Sequence, residues 1–222
     1  MQISKYQFII WLNKVLTLRS YPKKIAWWVG SDAVKKVIMP PGNLLFKLRV
    51  LNGRLVWKIA HRFYNEHWIN HAPLAKALVK FGIPEHKIHI HETPYLKHFY
   101  GRDDSEFTVL FYINKGKAEI PHRDWIYGKE YYEEIIKHFN TILIDGDSDM
   151  AKIYPLVDVY IKINATPYSD LNRIGKECLY TGIPVLVQNT YDKSVQQNKE
   201  EIIKWINTKK DTWPINKKRK SS

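Results

Sequence analysis

Asp170 and Glu177 stand seven positions apart in the segment Thr166-Pro-Tyr-Ser-Asp-Leu-Asn-Arg-Ile-Gly-Lys-Glu-Cys-Leu-Tyr-Thr-Gly-Ile-Pro-Val185. The segment follows an apolar strand pattern, turns, opens a helix at Leu171, and leaves it through Gly182-Ile183-Pro184-Val185 into another strand. In an open parallel sheet, ligands bind in the crevice beyond the carboxyl ends of the strands. Free amides and the positive dipole end of a helix opening there suit a diphosphate. Asp170 precedes that helix, and Glu177, two turns along, can accept hydrogen bonds from a ribose diol. The plainer reading of the pair is a solvated capping aspartate and a surface glutamate.

Other chemistries lack their residues. No Gly-x-Gly-x-x-Gly follows a strand, and Asn114-Lys115-Gly116-Lys117 lacks the glycine spacing and the Ser/Thr of a phosphate-cradling Walker loop. Asp145, Asp147 and Asp149 alternate as a calcium loop begins, but Met150 occupies the place of the turn glycine and no Glu closes the loop. Turn chemistry and helix capping account for that cluster. His67 and His71 are four apart, one face of a helix, but no Glu stands between them as a zinc protease requires. His89 and His91 share one face of a strand, with His86 nearby. No cysteine or carboxylate framework completes either set, so these are expected to be polar surface histidines and no metal site is assigned.

The elements that must position the acidic pair read most clearly in the second half. Phe107–Ile113, Thr141–Ile144, Val157–Ile163 and Pro184–Val187 read as strands, the third by the alternation of a half-buried strand. Lys129–Phe139 is amphipathic at helical spacing, and a short helix through Tyr154 is capped by Ser148 or Asp147. Helices also follow over Leu171–Tyr180, closed by a left-handed Gly182, and around Val195–Ile206. Strands alternating with helices imply a parallel sheet covered on both faces. The first half has the same grammar less cleanly: a helix over Lys5–Leu18, a strand Lys24–Val29, a turn Gly30-Ser31-Asp32, helical spacing at Leu55, Val56, Ile59, Ala60 and Phe63 and again at Leu74–Phe81, and a strand Lys87–His91. Residues 92–106 read as a linker, giving domains over 1–100 and 101–208 and a basic tail over 209–222, its lysine-rich end 216–222 frayed.

Charge divides the same way. Residues 1–100 hold 16 Lys/Arg against 4 Asp/Glu, whereas residues 101–208 hold 13 against 17. Five of the eight tryptophans share the basic half. The uneven balance implies two tasks, one of them contact with a polyanion or a membrane surface. On the N-terminal helix, Lys5, Lys14 and Arg19 accompany Phe8, Ile9, Trp11 and Leu12, a mixture suited to the headgroups of an anionic membrane. No apolar run reaches the roughly twenty residues of a membrane span and no secretory leader is legible. A single cysteine, Cys178, fits a reducing compartment. The expected location is cytoplasmic, with peripheral membrane attachment as an option.

The segment Asp170–Val185, ending Glu177-x-x-x-x-Gly-x-Pro-Val, resembles the paired-acid donor motif of retaining GT-B nucleotide-sugar glycosyltransferases. Asp145–Val159 is similar to that family's nucleobase loop, helix and following strand. Val109–Lys117 is similar to the first strand of the donor domain and its loop, and Trp27–Asp32 to an acceptor-domain loop. The first acid falls one residue closer than in the family and is Asp rather than Glu. The family's longer N-terminal domain, with a glycine-rich loop after its first strand, is not matched by this sequence.

The resemblance implies two Rossmann-like α/β domains facing a cleft, the first truncated. It implies transfer of a sugar from a nucleoside-diphosphate sugar to an acceptor hydroxyl on a glycan, lipid or protein, with retention and without a metal or other cofactor. In that reading Asp170 orients the donor sugar and Glu177 the ribose, while Asp147, Ser148, Asp149 and Met150 contact the base. Lys115, Lys117, Arg123 and Arg173 are candidates to neutralise the leaving diphosphate, and Asp32 lies on the acceptor side. Two other classes stay open: a nucleic-acid or polyanion binder without catalysis, and a sugar-nucleotide epimerase on the same fold. The basic half shows no recognisable nucleic-acid-reading module.

Overall fold

The computed structural model describes residues 23–28, 31–92, 94–95, 97, 106–113, 121–144 and 148–218, with backbone alone for 31–32, 121–123 and 213–218. The helix expected over Lys5–Leu18 lies outside the described residues. The chain divides into two compact units, Met1–Glu92 and Thr93–Ser222, each described here by itself. Both are α/β with parallel sheets.

In the first unit β1 (Ile25–Trp28), β2 (Glu66–Ile69) and β3 (Ile88–Ile90) form a parallel sheet in the order β1-β2-β3. Alternation along the strands sends Ala26, Trp28, His67 and Ile69 into the core, while Trp27, Trp68 and His89 share the other face at matched register. The helices are α1 (Ser31–Val37), α2 (Leu44–Ala60) and α3 (Pro73–Phe81). Leu74, Ala77, Leu78 and Phe81 form the buried face of α3, which ends on Gly82 at a φ of 109°, where a left-handed residue is needed.

Three expectations for this unit change. Ser31 and Asp32 open α1 instead of forming a turn. The helical spacing at Leu55 and Ile59 belongs to a helix that begins at Leu44, and those two residues lie on its exposed face, 63% and 54% exposed. Residues 66–69, where the spacing of His67 and His71 read as one helix face, are the central strand β2.

In the second unit β4 (Thr108–Tyr112), β5 (Asn140–Ile144), β6 (Val159–Asn164) and β7 (Val185–Asn189) are all parallel, in the order β5-β4-β6-β7. Around them run α4 (Pro121–Tyr127), α5 (Lys129–Ile135), α6 (Met150–Ile153) with a 3-10 turn Tyr154–Leu156, α7 (Arg173–Tyr180) and α8 (Val195–Lys218). One face of the sheet packs Val109, Phe111, Val159, Ile161 and Ile163 against Tyr131 and Ile135 of α5 and Ile202 and Ile206 of α8. The other packs Leu110, Ile144 and Tyr160 against Tyr154 and Cys178. Covered on both sides, β4 and β6 are buried along almost their whole length, so β6 is not the half-buried strand its alternation implied. The backbone of residues 209–218, most of the expected basic tail, continues α8, and 216–218 of the end expected to fray are part of that helix.

Candidate functional site

The chain leaves β4 toward β5 on one side and returns through β6 to β7 on the other, so the order reverses between β4 and β6. The carboxyl ends of those two strands are therefore the switch point at which an open α/β sheet forms its binding crevice. From β6 the chain passes Asn164 and a turn in which the Ser169 amide donates to the Thr166 carbonyl (3.2 Å), then enters α7.

The opening of α7 is built by Asn172. Its side chain accepts from the Gly175 amide (2.9 Å), the bond an N-cap makes to a first-turn donor. The same amide group donates to the Tyr160 hydroxyl (2.9 Å), tying the cap to a fully buried ring on β6. Gly175 lets the helix sit this close: a Cβ there would lie 3.2 Å from the Tyr160 ring and 2.2 Å from Leu171 Cδ1. The expected helix start at Leu171 thus moves to Arg173, and Asp170 stands outside it. Asp170 is exposed, and its Oδ1 accepts from the Leu171 amide (2.7 Å).

Glu177 is 1% exposed, which excludes a surface role. Arg173 Nε donates to its Oε1 (2.8 Å), and the Tyr154 hydroxyl donates to its Oε2. Burial, then the bond to the carboxylate, push the Tyr154 phenol up, while Glu177 holds the Arg173 guanidinium more firmly charged. Arg173 itself is half exposed. Helix α7 closes with the Thr181 hydroxyl on the Glu177 and Cys178 carbonyls (3.0 and 2.9 Å) and Gly182 at a φ of 77°, as expected.

Of the other residues singled out, Ser148, Asp149 and Met150 lie together at the carboxyl end of β5, where Met150 opens α6. The helix cap is Asp149, without a side-chain capping bond, where Ser148 or Asp147 was expected; its carboxylate meets Lys152 (3.4 Å). Tyr154 follows that short helix, so one hydroxyl links this segment to Glu177. Lys115, Lys117 and Asp147 lie outside the described residues. Arg123 and Asp32 are placed by backbone only, in α4 and in α1 of the other unit. The structure therefore brings together Glu177 and Arg173, with Asp170 on the adjoining loop.

No family model, no curated protein and no solved structure matches this chain.

Lys162 was not foreseen. It sits in β6 on the face of Tyr160 and Asn164, one pleat nearer the crevice than Tyr160. Its Nζ donates to the Ile163 carbonyl, and burial lowers its pKa to about 8, against the opposing pull of the Asp170 charge. Asn164 next along that face is buried, its Oδ1 with no hydrogen-bond partner among the described residues and its Nδ2 at 3.4 Å from Asn189 Oδ1. The signal was a lysine inside the apolar run Val159–Ile163.

The histidines are also placed differently from expectation. His67 lies on a strand, so it and His71 do not share a helix face, and it is fully buried instead of on the surface. Trp28 Nε1 donates to its Nδ1 (2.9 Å), which puts the ring proton on Nε2. Burial lowers its pKa to about 4, assisted by the charges of His61 and Lys87. Among the described residues no group of three His, Cys, Asp or Glu side chains could hold a metal ion.

Proposed function

We propose that this chain is a glycosyltransferase that moves a sugar from a nucleoside-diphosphate donor to an acceptor hydroxyl, with two Rossmann-like halves of the GT-B kind, the first reduced. The observation that carries the reading is the Arg173–Glu177 pair. A buried carboxylate on the helix that follows the central strand, near a switch point, is otherwise costly to keep. It is well suited to accept two hydroxyl donors from a ribose.

In this reading the half-exposed Arg173 yields Glu177 Oε1 to the diol and turns its guanidinium to the diphosphate. The exchange keeps the carboxylate satisfied in both states, which a buried charge requires. Asp170, on the loop entering the helix, orients the sugar. Ser148, Asp149 and Met150 flank the base, with Asp147 in the same segment. Lys115, Lys117 and Arg123 supply positive charge where the diphosphate departs, and Asp32 serves the acceptor side. Retention of configuration and independence from metal belong to the same proposal and rest on the motif resemblance.

Calorimetric titration with the common nucleoside diphosphates, in chelator, tests it. One of them binds saturably, and Glu177→Gln and Arg173→Ala each weaken it by roughly tenfold, the loss of a charged hydrogen bond. If no nucleoside diphosphate binds the folded protein at millimolar concentration, the reading is wrong.

A further inference from the structure

Helix α2 has two unlike faces. Phe46, Val50, Trp57 and Ala60 turn inward, where the Trp57 ring lies 4.6 Å from Trp28 and stacks on Tyr64 at 5.6 Å. At spacings of three and four residues on the opposite side run Leu44, Leu48, Leu51, Leu55 and Ile59, with Leu45 beside them. These are 72%, 44%, 49%, 63%, 54% and 55% exposed in that order. The stripe runs over sixteen residues of helix, Leu44 to Ile59, a rise of about 22 Å. Isolated exposed leucines need no explanation, but a continuous stripe of this length does.

The charges beside the stripe choose its occupant. Lys47 and Lys58 border it on one side and Arg49 on the other, all exposed, and the helix holds no acidic residue. Residues 1–65 carry twelve Lys/Arg and one acid, Asp32. A second copy of the helix, or the chain's own first 22 residues with Lys5, Lys14 and Arg19 and no acid, would meet it with like charge. The partner must be anionic and must accept aliphatic side chains. Nucleic acid supplies phosphates, but single strands are held by aromatic stacking and duplexes by polar contacts, and neither uses a row of leucines. A lipid bilayer with anionic headgroups supplies both.

We propose that α2 is a membrane-docking helix that lays Leu44, Leu48, Leu51, Leu55 and Ile59 into the acyl boundary of an anionic bilayer, with Lys47, Arg49 and Lys58 among the headgroups. The surface assigns the first unit a bilayer-bound position regardless of the reaction in the second. It places the anchor on α2, not on the N-terminal segment expected from the sequence.

Cosedimentation of the full chain with vesicles of phosphatidylcholine alone, and of phosphatidylcholine mixed with phosphatidylglycerol, tests the assignment. The protein pellets with the mixed vesicles and not the neutral ones, and raising NaCl to roughly 0.5 M weakens the attachment. Leu51→Ser with Leu55→Ser, both exposed positions, lowers partitioning by about tenfold or more while circular dichroism stays native. Lys47→Ser with Lys58→Ser has a smaller effect that vanishes at high salt. Several results overturn the proposal. One is unchanged partitioning of the Leu51/Leu55 variant, and a second is loss of binding only when Lys5, Lys14 and Arg19 are replaced. A third is a dimer by sedimentation that the Leu51/Leu55 variant abolishes, and the last is salt-sensitive binding to RNA or DNA with no vesicle binding.

Discussion

The Tyr154 hydroxyl donates to the Glu177 carboxylate in a contact from which solvent is excluded, both residues being 1% exposed. Tyr154 comes from the segment after β5 and Glu177 from the helix after β6, so the bond joins the connections that follow the two strands flanking β4. Removing either partner leaves a polar group buried and short of a bond, at a cost of about 1–3 kcal/mol. Tyr154→Phe should lower the unfolding free energy by that amount, read as a lower urea midpoint. Glu177→Ala should lower it at least as much, leaving the Tyr154 hydroxyl and Arg173 without their acceptor. A surface glutamate, the plainer reading of the sequence, would carry no such cost. A Glu177→Ala protein as stable as the parent would show that the carboxylate is solvated.

Asn172 does two jobs with one side chain, and a substitution should separate them. Asn172→Asp keeps an acceptor for the Gly175 amide but loses the donor to Tyr160. Asn172→Ala loses both. Loss of an N-cap costs about 1 kcal/mol, so Asn172→Ala should be the more destabilised of the two. Equal midpoints for the two variants in thermal melts would mean that the Gly175 bond contributes nothing.

Lys162 predicts a stability change at alkaline pH. Its pKa falls from 10.5 to about 8 on folding. Between those values the unfolded chain holds a proton that the folded one has released, so stability rises with pH across that window. Below pH 8 both states are protonated and the burial penalty is fully present. Lys162→Met should therefore be more stable than the parent at pH 7 and should lose the rise between pH 8 and 10. A parent and variant with parallel stability curves over that range would refute the assignment.

How much of this was legible follows from where periodicity is informative. The second unit's strands and helices are long enough, and buried enough on both faces, to stamp apolar runs and 3.6-residue spacing on the sequence, and the Asp170–Val185 segment announced its own turn, helix and exit. Glu177's burial was not legible, because it depends on Tyr154, 23 residues away and on another connection. In the first unit Glu66-His67-Trp68-Ile69 carries three polar or amphipathic residues in four, and a histidine pair at helical spacing disguised the strand. Helix α2 deceived in the other direction. Its most regular apolar row faces outward, so the spacing that marks a core in most helices marked a surface here.

Independence from metal can be tested directly once a donor is found. In the proposed reaction the positive charge for the leaving diphosphate would come from Arg173, Lys115, Lys117 and Arg123. Release of nucleoside diphosphate should therefore continue in excess chelator. Recovery only on adding magnesium or manganese would move the charge-neutralising role from these side chains to an ion.

His67 makes the first unit acid-sensitive. Its pKa falls from 6.5 to about 4 on folding because the ring is buried beneath Trp28 and near the charges of His61 and Lys87. As the pH drops below 6.5 the unfolded chain takes up a proton that the folded one refuses until about 4, so stability is lost across that interval. The whole shift corresponds to about 3 kcal/mol if fully expressed. His67→Gln can keep an acceptor for the Trp28 indole while removing the titration. Trp28 reports the change, since its ring packs against His67 at 6.0 Å. Urea titrations followed by tryptophan fluorescence at pH 7, 5.5 and 4.5 should show the parent losing stability faster than His67→Gln. Other carboxylates titrate in both proteins, so the difference between the two curves is the quantity that belongs to His67. A difference that stays constant with pH would mean that the ring is protonated as readily in the folded chain as in the unfolded one.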